Sequence, residues 1–105
     1  MKSNYMQKEI AVVDALKKVY DPEIPVNVYD LGLIYEILFT DEGAVNITMT
    51  LTNPNCPVAD ELPLNVKNAV LEIEGIEQVN VKLVFEPEWN KDMMSDAAML
   101  DLGML

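Results

Sequence analysis

Val45-Asn46-Ile47-Thr48-Met49-Thr50-Leu51-Thr52 alternates apolar and polar side chains without a break. A β-strand sends successive side chains to opposite faces, so this run predicts a strand with Val45, Ile47, Met49 and Leu51 facing a core and a hydroxyl-lined opposite face. Asp41-Glu42-Gly43 just before it is a turn signal, preceded by a second alternating run over about 31–40. There Leu33, Tyr35, Ile37 and Phe39 alternate with Ile34, Glu36, Leu38 and Thr40. The two runs predict an antiparallel hairpin.

Beyond the second strand, Thr52-Asn53-Pro54-Asn55-Cys56-Pro57 is dense in turn formers. Leu62, Val66, Ala69, Val70 and Ile73 then follow helical spacing, predicting a helix that starts between Val58 and Asp60, ends near residue 74 and stops at Gly75. Pro63 falls near its first turn, where a missing N–H costs little. Val79, Val81, Leu83 and Phe85 predict a third strand running to Glu86-Pro87. A helix returning between strands two and three makes them parallel, so the sheet is mixed. Toward the N-terminus, Met6, Ile10, Val13, Leu16, Lys17 and Tyr20 predict an amphipathic helix over about 5–19, stopped by Asp21-Pro22. Pro25 keeps Glu23-Ile24-Pro25-Val26-Asn27 extended. Ser95 reads as the N-cap of a short last helix closed by Gly103. The order is α-β-β-α-β-α, an α+β fold in one domain spanning 1–105.

The 105 residues suit one compact domain, and 50% apolar with 24% charged residues excludes collagen-like, mucin-like and wholly disordered chains. Eighteen acidic against seven basic residues give a net charge of −11, which repels phosphate backbones and anionic lipid. Nucleic acid and membrane are therefore not expected partners. No apolar run reaches signal-peptide or membrane-span length, and a lone cysteine suits a reducing compartment, so the expected location is cytoplasmic. Histidine is absent, which removes Cys-His nucleophile pairs, Ser-His-Asp triads and His-based zinc or Rieske sites from what this chain can build alone. An enzyme is not expected.

Cys56, just ahead of a predicted helix N-terminus, is the sharpest candidate, since backbone N–H groups there favour a thiolate, the nucleophilic and metal-binding form. Asp60 and Glu61 oppose that charge, and the alternative is a small buried hydrophobe. Asp21 and Glu23 put two carboxylates in a proline-stiffened loop, fit to bind a hard cation or to end a helix in water. Thr48, Thr50 and Thr52 form either a hydroxyl ladder or ordinary strand. Trp89, Met93 and Met94 cluster near the last helix, as core filling or as an adaptable partner surface.

Asp21-Pro22-Glu23-Ile24-Pro25-Val26, followed by Asp30-Leu31-Gly32-Leu33-Ile34-Tyr35, Met49-Thr50-Leu51-Thr52, Cys56-Pro57, Trp89, Asp92-Met93-Met94-Ser95 and Leu102-Gly103, resembles the SufT/PaaD-like family of iron-sulfur cluster assembly domains. The resemblance spans nearly the whole chain. It implies a two-layer fold with helices packed on one face of a three-stranded sheet, similar to the C-terminal domain of NifU-type scaffolds. It also implies a role in maturing iron-sulfur proteins and a site uniting Asp21, Glu23, Thr52 and Cys56, with Cys56 as the metal ligand. Many members carry two adjacent threonines before the proline, where this chain has Thr52-Asn53.

A permanent cluster normally takes four protein ligands, so one cysteine per chain predicts a transient iron-sulfur cluster or iron ion, shared across a homodimer with external thiols, or no cluster at all. The expected partners are iron-sulfur scaffold or carrier proteins and client apo-proteins. Resemblance to PaaD offers a second reading, an interaction subunit for assembly of a multicomponent oxygenase. A small thiol-dependent enzyme is the third, disfavoured by the missing general base.

Overall fold

β2 (Ala44–Met49) is the middle of three strands in a computed structural model that describes residues 2–21, 24–41, 43–52 and 61–103. Its core-facing Val45, Ile47 and Met49 are fully buried, as the alternation requires. β1 (Ile34–Asp41) pairs with it antiparallel, Ile37 opposite Ile47 and Phe39 opposite Val45. β3 (Gln78–Leu83) pairs with it parallel, Val79 opposite Val45 and Val81 opposite Ile47. The crossover between β2 and β3 carries α2 (Glu61–Leu71), which buries Leu62, Val66 and Val70 and packs against β3.

α1 (Lys2–Leu16) packs against α2, and its Val12 and Leu16 join the same core. Burying a side chain of this size contributes about 1.5–3 kcal/mol, so the helix-covered face of the sheet supplies most of the folding drive. Away from the helices the sheet is polar apart from Leu38. Glu36, Leu38, Asn80 and Lys82 are exposed, and the Asn80 amide donates to Asn46 Oδ1 at 2.9 Å. The α-β-β-α-β-α order, the mixed sheet and the two-layer α+β arrangement agree with the expectation from sequence.

Several details differ from it. The buried stripe of α1 is Val12, Ala15 and Leu16, continued by Val19, whereas Ile10 and Tyr20 are each 59% exposed. The helix carries aliphatic residues on more than one side, and its rotation is fixed by the turn at its C-terminal end. Turn bonds from Lys18 to Ala15 and Val19 to Leu16 close it early, and the Val28 N–H then ties the Val19 carbonyl inward at 2.8 Å. The second difference is a register shift between Ile34 and Glu36, which takes Tyr35 out of the core-facing series. The third is a short 3-10 turn at Lys91–Met93, capped by Asn90, ahead of α3 (Asp96–Asp101). Ser95 caps α3 as expected, its hydroxyl accepting from the Ala98 N–H at 3.1 Å. Phe85, placed on the third strand from sequence, lies past its end and is exposed. The expected start of α2 between Val58 and Asp60 lies outside the described residues.

Candidate functional site

The loop after α1 is closed by its own backbone. Tyr20 and Asn27 form an isolated antiparallel bridge, and the Asp21 N–H donates to the Val26 carbonyl at 3.2 Å. The Asp21 carboxylate turns back into this loop, Oδ1 accepting the Ile24 N–H at 2.9 Å, and the residue is only 8% exposed. An aspartate accepting from a backbone N–H three residues on is a compact way to hold a turn that prolines already bias. Asp21 therefore braces the loop. Glu23, the second carboxylate expected there, lies outside the described residues.

A second turn comes directly after it. Asn27 Oδ1 accepts the Asp30 N–H at 2.9 Å while its amide donates to Asp30 Oδ2 at 2.8 Å, a reciprocal pair that fixes the turn through Gly32. Lys17 places its ammonium 5.5 Å from the centroid of the Tyr29 ring on the outer side.

Three backbone hydrogen bonds then link the acidic loop to the exit of β2. Val28 N–H meets the Val19 carbonyl at 2.8 Å, Leu33 N–H the Val28 carbonyl at 3.1 Å, and Thr50 N–H the Leu33 carbonyl at 2.8 Å. The root of the Asp21 loop and the root of the segment running through Thr52 toward Cys56 are thereby parts of one hydrogen-bonded layer. Thr52 is half-buried at the edge of this layer, and Cys56 lies outside the described residues. Among the described residues no group of three or more Cys, Asp and Glu converges as a metal-binding set.

Thr50 differs from the other threonines in being 1% exposed. Nearby, the Tyr35 phenol donates to the Pro87 carbonyl at 2.8 Å and lies 3.6 Å from the Met93 sulfur. Burial raises the Tyr35 phenol above its ordinary value, and the Thr50 side chain offsets part of that rise. The Trp89 indole N–H donates to the Leu31 carbonyl at 2.7 Å, and the Ser95 N–H to the Asp30 carbonyl at 2.7 Å. Gly32, at φ +82°, lies so close to the Met93 backbone that a Cβ there would sit 2.8 Å from the Met93 carbonyl carbon. The segment after β3 thus lies against the turn at 30–35, with Met94 and Ala98 buried in the core. Sequence reasoning placed Tyr35 in a core stripe and missed this role; its one signal was a hydroxyl ladder next to a strand that carries a tyrosine.

Residues 9–83 match the family model described as iron-sulfur cluster assembly protein. The chain belongs to this family. An Fe-S protein maturation auxiliary factor of Porphyromonas gingivalis is 54% identical over 105 residues, covering all of both chains. The auxiliary factor SufT of Staphylococcus aureus is 40% identical over 86 residues, 82% of this chain and 98% of its own. Among solved structures, a domain of unknown function from Bacillus anthracis superposes with a TM-score of 0.87 at 31% identity, covering 95% of each chain. The iron-sulfur cluster assembly fold is thus confirmed, and the chain is a SufT-like auxiliary factor in the maturation of iron-sulfur proteins. No helix among the described residues is long and apolar enough to cross a membrane.

Proposed function

We propose that this auxiliary factor acts by a transient contact between the Cys56 thiolate and iron, or a cluster presented by a partner. Thr52 donates a hydrogen bond to the thiolate, and Asp21 and Glu23 orient the contact from the neighbouring loop. The observation that supports this reading is the run of backbone hydrogen bonds Val19-Val28-Leu33-Thr50, which links the start of the acidic loop to the exit of β2. A single thiolate per chain binds iron weakly, and weak binding suits transfer rather than storage. Two chains with external thiols supply the four ligands of a shared cluster. The partners are an iron-sulfur scaffold or carrier and client apo-proteins, the site of action is the cytoplasm, and the role is non-catalytic.

The interaction-subunit reading put its contact residues at Trp89, Met93 and Met94. Trp89 is engaged by the Leu31 carbonyl and Met94 is buried, so substitutions there act on folding before they act on docking.

Anaerobic reconstitution with iron and sulfide tests the proposal, reading visible absorption and the iron-to-protein ratio for the native chain and Cys56→Ser. Iron retained by the native chain and lost from Cys56→Ser is expected. Equal retention by both would remove the thiol from the contact, and no iron on either would leave adaptor action alone.

A further inference from the structure

The chain from Phe85 to Ser95 crosses the 30–35 turn as a strap, fastened by three hydrogen bonds. The Trp89 indole N–H donates to the Leu31 carbonyl at 2.7 Å, the Tyr35 phenol to the Pro87 carbonyl at 2.8 Å, and the Ser95 N–H to the Asp30 carbonyl at 2.7 Å. The indole and the Ser95 N–H each serve one acceptor. The Tyr35 phenol has one proton and faces two, the Pro87 carbonyl and, 3.6 Å away, the sulfur of Met93.

A thioether is a weak acceptor beside a carbonyl, so the proton goes to Pro87 while the sulfur is reduced. Oxidation changes that balance. When hydrogen peroxide meets a thioether, a sulfur electron pair forms the S–O bond and the O–O bond breaks. The proton of the transferred oxygen passes to the departing hydroxide, which leaves as water. The methionine becomes a polar sulfoxide. At Met93 the new oxygen sits on the atom that faces the phenol, where it competes with Pro87 for a single proton.

Met93 is half-buried in the 3-10 turn, directly after the exposed Lys91 and Asp92, whereas Met49 is fully buried and Met94 is 6% exposed. Met99 is half-buried too, but among the described residues only Met93 places its sulfur on a group that fastens the strap. The turn beneath carries Leu33, whose carbonyl takes the Thr50 N–H, so the strap borders the bonds between the acidic loop and the exit of β2.

We propose that Met93 is a reversible oxidation site for peroxide-class oxidants, its sulfoxide drawing the Tyr35 proton from Pro87 and loosening the strap on the 30–35 turn. This latch is independent of what Cys56 binds.

The test uses the full chain carrying Cys56→Ser, so that the sole thiol does not compete for the oxidant. Hydrogen peroxide is added in steps, and peptide mapping by mass spectrometry follows each methionine. Trp89 is the one tryptophan, so its indole N–H gives a single NMR signal whose exchange with deuterated water reports on the strap. Met93 is expected to be converted while Met49 and Met94 remain intact. Its conversion should speed indole exchange about fivefold, the population equivalent of one neutral hydrogen bond. Methionine sulfoxide reductases should return both the mass and the exchange rate to their starting values. Met93→Leu has no sulfur to oxidise and Tyr35→Phe no phenol proton to divert, so the same dose should leave each at its own starting rate.

Oxidation of Met49 or Met94 as fast as Met93, or an indole exchange rate that Met93 conversion does not raise, would overturn the assignment. So would an equal acceleration in Met93→Leu, tracing the effect to another methionine, or in Tyr35→Phe, taking the phenol out of the coupling. If Tyr35→Phe fails to fold, Met93→Leu and the reductase step decide. No iron is used, so these outcomes are separate from those of the reconstitution.

Discussion

The indole N–H of Trp89 donates to the carbonyl of Leu31 at 2.7 Å, joining residues 58 positions apart. Leu31 is fully buried and Trp89 packs against the same core. Trp89→Phe keeps most of the ring contact and loses the hydrogen bond, an expected cost of about 1 kcal/mol. Trp89→Ala loses both, and about 3 kcal/mol is expected. Urea unfolding of the two variants measures the difference.

Gly32 and Gly103 both have positive φ, +82° and +73°, but different surroundings. A Cβ at Gly103 meets nothing within 4 Å, so Gly103→Ala should cost only backbone strain, about 1 kcal/mol. At Gly32 the same Cβ drives into the Met93 backbone, and a loss of about 3 kcal/mol is expected, with loosening of the segment after β3. Equal melting temperatures for the two variants would contradict the close approach.

Asp21 serves its loop as an acceptor for the Ile24 N–H. Asp21→Asn retains an acceptor oxygen and should remain folded with most of its iron retention. Asp21→Ala removes it and is expected to lose about 1–2 kcal/mol. If Asp21→Asn stays as stable as the native protein but loses all iron, the negative charge itself takes part in the contact.

Tyr35 sets an alkaline limit. Burial is the larger influence on its phenol and the Thr50 side chain the smaller, opposing one, leaving it raised. The folded chain keeps this proton at pH values where the unfolded chain has released it, so the unfolded state binds fewer protons and stability falls with rising pH. The contribution is complete below about pH 10 and is lost as pH climbs through the folded-state value. Tyr35→Phe should flatten the decline of the urea midpoint above about pH 10.

The hairpin, the parallel third strand and the Ser95 cap were legible because each rests on a local rule: period-two alternation, a helical crossover, a hydroxyl ahead of a helix. The face of α1 was not, because Ile10 and Val13 compete with Val12 and Ala15 for the same periodic template, and a hydrogen bond from Val28 decides between them. Tyr35 was misread for a related reason, since one extra residue in a strand reverses the parity of those before it and leaves no mark in the alternation. At the site, the motif residues were visible one by one. The link from Val19 to Thr50 through Val28 and Leu33 depends on pairings between segments that spacing cannot express.

The contacts of Trp89 and Ser95 with the turn at 30–35 also order events in time. Both residues come after every strand in the sequence, so translation finishes the whole sheet before the chain that steadies its turn exists. A nascent protein halted after β3 holds all of its strands, yet Tyr35 has no Pro87 to meet. Anchoring of that turn therefore comes later in synthesis than the pairing of the strands, and arrives together with Met94 and Ala98, which the same segment adds to the core.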